Sequence, residues 1–232
     1  MRKHYIIGCG GVGSWLAPSL CLLRSPQEII LVDGDTLETK NLNRQLFTPE
    51  QVGSNKATAL AEKYGCQAIA EFYGTGSIEH DPSDWIFCCV DNNPARMAVL
   101  HSCDQYGCQA IFAANESTSS EAYYYRRAWK ETPLDPRVYY PIIATDRSGD
   151  PRRASAGCTG EAQQQNRQLV SANFSAAALA QNLFVLWGIK ASELSKETMP
   201  MLPFKFVANL SKLESHRIKD QLEKGKSNET DN

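Results

Sequence analysis

The stretch "IIGCGGVGSWLA" (residues 6–17) leaves this chain few folds to choose from. It runs from a short apolar strand, through a glycine turn, into a helix. Gly8, Gly10 and Gly13 stand at G-x-G-x-x-G spacing. In such a turn the first glycine permits the tight bend, the second lets backbone approach a phosphate, and the third lets the helix close on the strand. The helix N-terminus that follows favours an anion. Asp33 lies 20 residues beyond Gly13, at the end of the next apolar run, "EIILVDGD". An acid at that place hydrogen-bonds ribose hydroxyls.

The rest of the first half continues the pattern. "KATALAEKYG" reads as a helix stopped by Gly65, and "CQAIAEFYG" as a third strand. "DWIFCCVD" reads as a fourth strand, and "NPARMAVLHSCDQYG" as a helix capped by Asn92 or Asn93. "CQAIFAAN" is a fifth strand. This β-α-β-α-β-β-α-β order predicts an α/β fold: a doubly wound, mainly parallel Rossmann-like sheet with a C-terminal extension. One nucleotide-binding domain is expected over residues 1–218, with a mobile loop over about 116–160 and a polar tail over 219–232. A long helix is expected over 165–188 and a last strand in "PFKFVANLSKLESHR". "EAYYYRRAWK" could be a strand. Its tyrosines and arginines alternate as a base-stacking strand would, but one such strand is more often a sheet face.

Composition narrows the partners. At 232 residues, 42% hydrophobic and 22% charged, the chain can bury a sizeable core, and its net charge of −2 gives no reason to expect nucleic acid as a partner. With no apolar run of about 18 residues, no membrane span is expected, and the reading is of a cytoplasmic protein. None of the eight cysteines forms a C-x-x-C pair, so no structural zinc is expected.

The glycine turn and Asp33 alone would serve NAD, and an NAD-dependent oxidoreductase stays an alternative. The next segment, "DGDTLETKNLNRQLF", places Asn41, Asn43, Arg44 and Gln45 after the second strand. A redox enzyme has no need of that cluster, whereas a triphosphate needs cations near its outer phosphates. Lys56 supplies a second cation. Asp91, after the fourth strand, puts an anion on the same sheet edge, where it could hold Mg²⁺. These are parts for in-line attack on an α-phosphate.

Together, "IIGCGGVGSWLA", "IILVDGDTLETKNLNRQLF", "VGSNKA" and "CCVDNNPAR" resemble the ThiF/MoeB adenylyltransferases and the ubiquitin-activating enzymes. The resemblance implies a doubly wound, dimerising fold that uses Mg-ATP to adenylate the C-terminal carboxylate of a small β-grasp carrier protein, or a peptide, ending in Gly-Gly. It implies that Gly8, Gly10, Gly11 and Gly13 form the nucleotide loop and that Asp33 holds the ribose. Asn41, Arg44 and Lys56 would contact the phosphates, and Asp91 would bind Mg²⁺ and set the reacting carboxylate. Cys158, in "ASAGCTGEAQQQ", stands where the family places a cysteine that accepts the activated acyl group or enters a persulfide step. Many relatives also carry an arginine on a helix before the first strand. Here only "MRKHY" stands there, and Arg2 is a poor match. A catalytically silent, partner-binding member of the family is the remaining alternative.

Overall fold

A computed structural model describes residues 2–116, 118–146, 170–189 and 203–209. Its seven-stranded sheet has the order β3-β2-β1-β4-β5-β6-β7. The strands are β1 (His4–Ile7), β2 (Ile29–Val32), β3 (Gln67–Ile69), β4 (Trp85–Cys88), β5 (Gln109–Asn115), β6 (Ser119–Arg126) and β7 (Lys205–Asn209). The first five run parallel, and β6 and β7 pair antiparallel at one side. The doubly wound reading therefore holds, and the C-terminal extension is the antiparallel edge. The loop expected over about 116–160 contains β6 and two short helical turns, α4 (Pro136–Tyr139) and α5 (Ile142–Thr145).

Strands β1, β2 and β4 are buried throughout because both faces of the sheet are covered, and all their residues but His4 are apolar. Alternation sorts their side chains. Ile6, Leu31, Phe87, Ile111 and Tyr124 face α1 (Gly13–Cys21), α2 (Lys56–Tyr64) and α6 (Val170–Phe184). Tyr5, Ile7, Ile30, Ile86, Phe112 and Tyr125 face α3 (Asn93–Tyr106) and α5. Tyr123, Tyr124 and Tyr125 are all buried, so the aromatic strand is a sheet interior and offers no platform for bases.

The helix ends follow local chemistry. Asn55 caps α2 by accepting from the Thr58 amide at 3.0 Å, and Asn92 caps α3 by accepting from the Ala95 amide at 2.9 Å. Gly65 and Gly107 close these helices with φ of 73° and 78°. The segment after β6 is pinned by Arg137, which ion-pairs with Asp104 of α3 at 2.6 Å and with Asp135 at 2.9 Å. That network explains why a stretch rich in Pro, Arg and Asp holds a fixed course.

Helix α6 and the turn after it, Val185–Ile189, form one 20-residue apolar helix, long and apolar enough to cross a membrane by length and composition alone. It packs on β5, β6 and α1. Ala172, Ala176, Ala180 and Leu183 are fully buried there, which accounts for its apolar character. The expected start of this helix at 165 and the 219–232 tail lie outside the described residues.

At the β1–α1 turn, Gly8 has φ of 88°, a left-handed conformation. A Cβ on Gly13 would stand 1.9 Å from the Gly8 carbonyl oxygen. Gly13→Ala should therefore force the strand and helix apart and destabilise the fold by roughly 3 kcal/mol. A Cβ on Gly10 would meet nothing closer than 3.5 Å, so Gly10→Ala should leave stability within about 0.5 kcal/mol of the parent. Urea titration of the two variants checks the contrast.

His4, the first residue of β1, is buried with its ring edge-on to Phe184 at 5.3 Å. Burial first, then the charges of Arg24 and Arg2, push its pKa down to about 4. An unfolded histidine takes up a proton near its ordinary 6.5, and the native one does not until about 4. Stability from this residue is thus full above pH 6.5 and is lost as pH falls toward 4. The melting temperature should fall by several degrees across that window, and His4→Phe should flatten the slope. His80, lowered in the same direction by burial, should leave part of the slope in place.

Candidate nucleotide site

The parallel strand order reverses between β1 and β4, and in such sheets ligands bind at the carboxyl ends of the strands at this point. Gly8 sits there. A Cβ on it would come within 2.9 Å of the Cys89 carbonyl at the end of β4, so only glycine lets the two strand ends meet. Helix α1 then starts at Gly13 with no side-chain cap among the described residues. The Ser14 and Trp15 amides donate to the Gly10 and Val12 carbonyls, each at 3.1 Å, so what this N-terminus presents to whatever lies before it is its positive dipole end and the amides of the glycine turn itself.

Asp33 is 9% exposed and holds this turn in place. Its Oδ2 accepts from the Cys9 amide at 2.6 Å, and its Oδ1 accepts from the Asp35 amide at 2.8 Å. Burial raises its pKa, while those amides and Lys56 pull the other way. The residue read as a ribose ligand is therefore also a strut of the glycine turn. Each carboxylate oxygen keeps a second lone pair for a hydroxyl. Cys9 is fully buried, and burial pushes its thiol well above the ordinary range, which makes it a packing residue.

Lys56 opens α2 and is 7% exposed. Its Nζ pairs with Asp35 Oδ2 at 2.8 Å. The start of α2 is fastened to the end of β2, because Asn55 Nδ2 donates to the Asp33 carbonyl at 2.7 Å. Lys56 is thereby held on the same strand end as Asp33.

Arg44 lies on the loop after β2. Among the described residues its guanidinium makes contacts of 3.3 Å alone, to the Lys40 carbonyl and to Asn43 Oδ1, both on its own loop. The loop itself is tied to α1. Trp15 Nε1 donates to the Arg44 carbonyl at 3.2 Å, and the Leu46 amide donates to Ser14 Oγ at 3.1 Å. Asn41 is buried and its Oδ1 accepts from the Glu38 amide at 3.0 Å, so it closes the helical turn that precedes Arg44. Gln45 is buried beside Gly10, and its Oε1 has no hydrogen-bond partner among the described residues.

Asp91 is exposed at the carboxyl end of β4, just before the Asn92 cap of α3. The loop it stands on is fixed by Arg96, whose guanidinium donates to the Val90 carbonyl at 3.2 Å and to Asn93 Oδ1 at 3.0 Å. Among the described residues no three His, Cys, Asp or Glu side chains gather into a metal cage. A single exposed carboxylate suits Mg²⁺, which keeps several waters and takes its other ligands from phosphates. Cys158 lies outside the described residues.

Two further residues shape the site. Arg96, at the end of "CCVDNNPAR", steadies the Asp91 loop. Asn173, far along the chain on α6, donates from Nδ2 to the Arg44 carbonyl at 3.2 Å.

Residues 2–161 match the model of the ThiF family. The ubiquitin-like modifier-activating enzyme 5 of Drosophila persimilis is 34% identical over 121 residues, covering 43% of this chain and 31% of the fly protein. That of Dictyostelium discoideum is 32% identical over 123 residues, covering 44% and 32%. The chain thus spans about a third of the length of these relatives. Among solved structures, PaaA matches with a TM-score of 0.60 at 18% identity, over 90% of this chain and 70% of that one. E. coli MccB, in a structure with MccA-N7isoASN, matches with a TM-score of 0.56 at 20% identity, over 81% and 56%. The glycine turn, Asp33, the Arg44 loop, Lys56 and Asp91 all fall inside the matched segment, and the chain belongs to the ThiF family.

Proposed function

We propose that this chain is an ATP-dependent adenylyltransferase that activates a C-terminal carboxylate on a peptide or on a small ubiquitin-like carrier protein. The observation that carries this reading is the convergence of two cationic segments on one glycine turn. Arg44 is fastened to α1 through Trp15, and Lys56 is fastened to the end of β2 through Asp35. An uncapped helix start with two cations at its rim suits a triphosphate better than the pyrophosphate of a dinucleotide. One of the MccB structures of this fold was solved with ATP. The named relatives are modifier-activating enzymes, which supports a protein or peptide tail as the acyl substrate.

In this reading a carboxylate oxygen of the substrate attacks the α-phosphorus. The bond to the bridging oxygen breaks, pyrophosphate leaves, and an acyl-adenylate remains. The glycine-turn backbone at Gly10 and Gly11, with the α1 dipole behind it, holds phosphate oxygens, and Asp33 holds the ribose. Lys56 exchanges Asp35 for a phosphate. Arg44 swings from its loop contacts onto the outer phosphates, where its charge opposes the one that builds on pyrophosphate. Asp91 would hold Mg²⁺, which supplies further neutralisation of the phosphates.

The exposed apolar strip on α6, Val170 together with Phe174, which is 57% exposed and edge-on to Trp15, supports reading the active form as a homodimer that covers it. Light scattering at micromolar concentration should return twice the chain mass, and a monomer there rules this out.

ATP–pyrophosphate exchange with a panel of Gly-Gly-ending carriers tests the chemistry. Mg-ATP should raise the melting temperature where NAD⁺ does not, and at least one carrier should support exchange. Asp91→Ala should keep the fold and lose about 10²-fold or more in exchange rate. Tight NAD⁺ binding without an ATP response would sink the reading.

A further inference from the structure

Helix α6 turns an alanine surface to the sheet, and one residue on that surface is out of keeping. Ala172, Ala176, Ala177 and Ala180 fill the contact, while Asn173 beside them is also 0% exposed. A buried carboxamide is costly unless its donors and acceptors are met. Nδ2 donates to the Arg44 carbonyl at 3.2 Å, but Oδ1 has no partner among the described residues. The carboxamide also covers Gly11. A Cβ there would stand 2.8 Å from Oδ1, 3.0 Å from Nδ2 and 3.1 Å from Cγ.

The Arg44 carbonyl accepts a second bond, from Trp15 Nε1 at 3.2 Å. Donors from α1 and α6 thus meet on one main-chain oxygen. The Arg44 guanidinium is anchored much less firmly, by its contacts of 3.3 Å within its own loop. Its reach is therefore set by where the main chain of residue 44 is held. Helix α6 is itself fixed one residue earlier, where Ser120 Oγ of β6 donates to the Ala172 carbonyl at 2.8 Å.

We propose that Asn173 is a positioning residue of the nucleotide site: by gripping the Arg44 carbonyl from above Gly11, it sets where the Arg44 guanidinium meets the outer phosphates. The inference rests on the triphosphate reading given above. It makes α6, which follows the Cys158 segment in the chain, a direct determinant of ATP affinity. A leucine or alanine would pack the same surface without an unmet oxygen, so packing alone does not account for the carboxamide.

The test is a double-mutant cycle with Asn173→Ala and Arg44→Ala, read as the Kd for Mg-ATP by calorimetry, with melting temperature followed separately. Asn173→Ala should weaken Mg-ATP by about five- to tenfold, the loss of one backbone-directed hydrogen bond. In the Arg44→Ala background it should weaken binding no further. Residue 44 keeps its carbonyl in that background, so a general packing defect would still show there. Equal losses in both backgrounds, or no loss in the parent, overturn the proposal. Should Asn173→Ala fail to fold, Asn173→Ser, which leaves a smaller void but cannot span to the carbonyl, replaces it in the same cycle. A parent chain that does not bind Mg-ATP would overturn the nucleotide reading and this inference with it, and the parent titration alone identifies that case.

Discussion

The carboxylate of Asp33 is the tie on which the nucleotide edge depends. Through Oδ2 it holds the Cys9 amide of the glycine turn, and through Oδ1 the Asp35 amide that carries β2 onward. Its carbonyl takes the Asn55 side chain that starts α2. Three separate pieces of chain therefore take their position from one residue. Removing its oxygens would leave the buried Cys9 amide without a partner, a defect that costs about 1–3 kcal/mol. The same oxygens are the ones a ribose would meet. Fold and ligand thus share a group here, and a substitution at 33 would disturb both.

The two cations of the site are held in opposite ways. Lys56 is buried, paired and fixed at a helix start, so a phosphate has to compete with Asp35 for it. The Arg44 main chain is clamped by Trp15 and Asn173, while its guanidinium rests on weak contacts. One charge is preorganised and the other can follow its ligand. Binding and release of a triphosphate call for both properties, since a site made only of fixed charges would release pyrophosphate slowly.

Features set by short stretches of backbone were readable from the sequence. The glycine spacing reports a turn that tolerates no Cβ at Gly13, and Asn92, Gly65 and Gly107 mark helix ends that need a cap or a left-handed residue. Long-range features were not. Asn173 meets Arg44 across 129 residues of chain, and a single asparagine in an alanine-rich helix gives no hint of its partner. Asn41 shows a different limit. A short carboxamide after a strand suits both a phosphate contact and a turn closure, and the sequence does not announce the second, which Oδ1 makes at Glu38. The β6 tyrosines could be read as a surface or a core strand, and only the partners on each face decide between them.

The place of α6 in the chain bears on the order in which the molecule can be assembled. The strands and helices up to residue 115 have mostly local crossovers and can pair as they are made. The face that carries Ile6, Leu31, Phe87 and Ile111 is closed near β5 only when α6 arrives, more than 50 residues later. Strand β7 then pairs with β6 from further still along the chain. A growing chain thus possesses the glycine turn, both cations and Asp91 well before it possesses the helix that clamps residue 44. During synthesis the sheet would present an uncovered apolar strip, and the nucleotide edge would lack its second clamp until that strip was sealed.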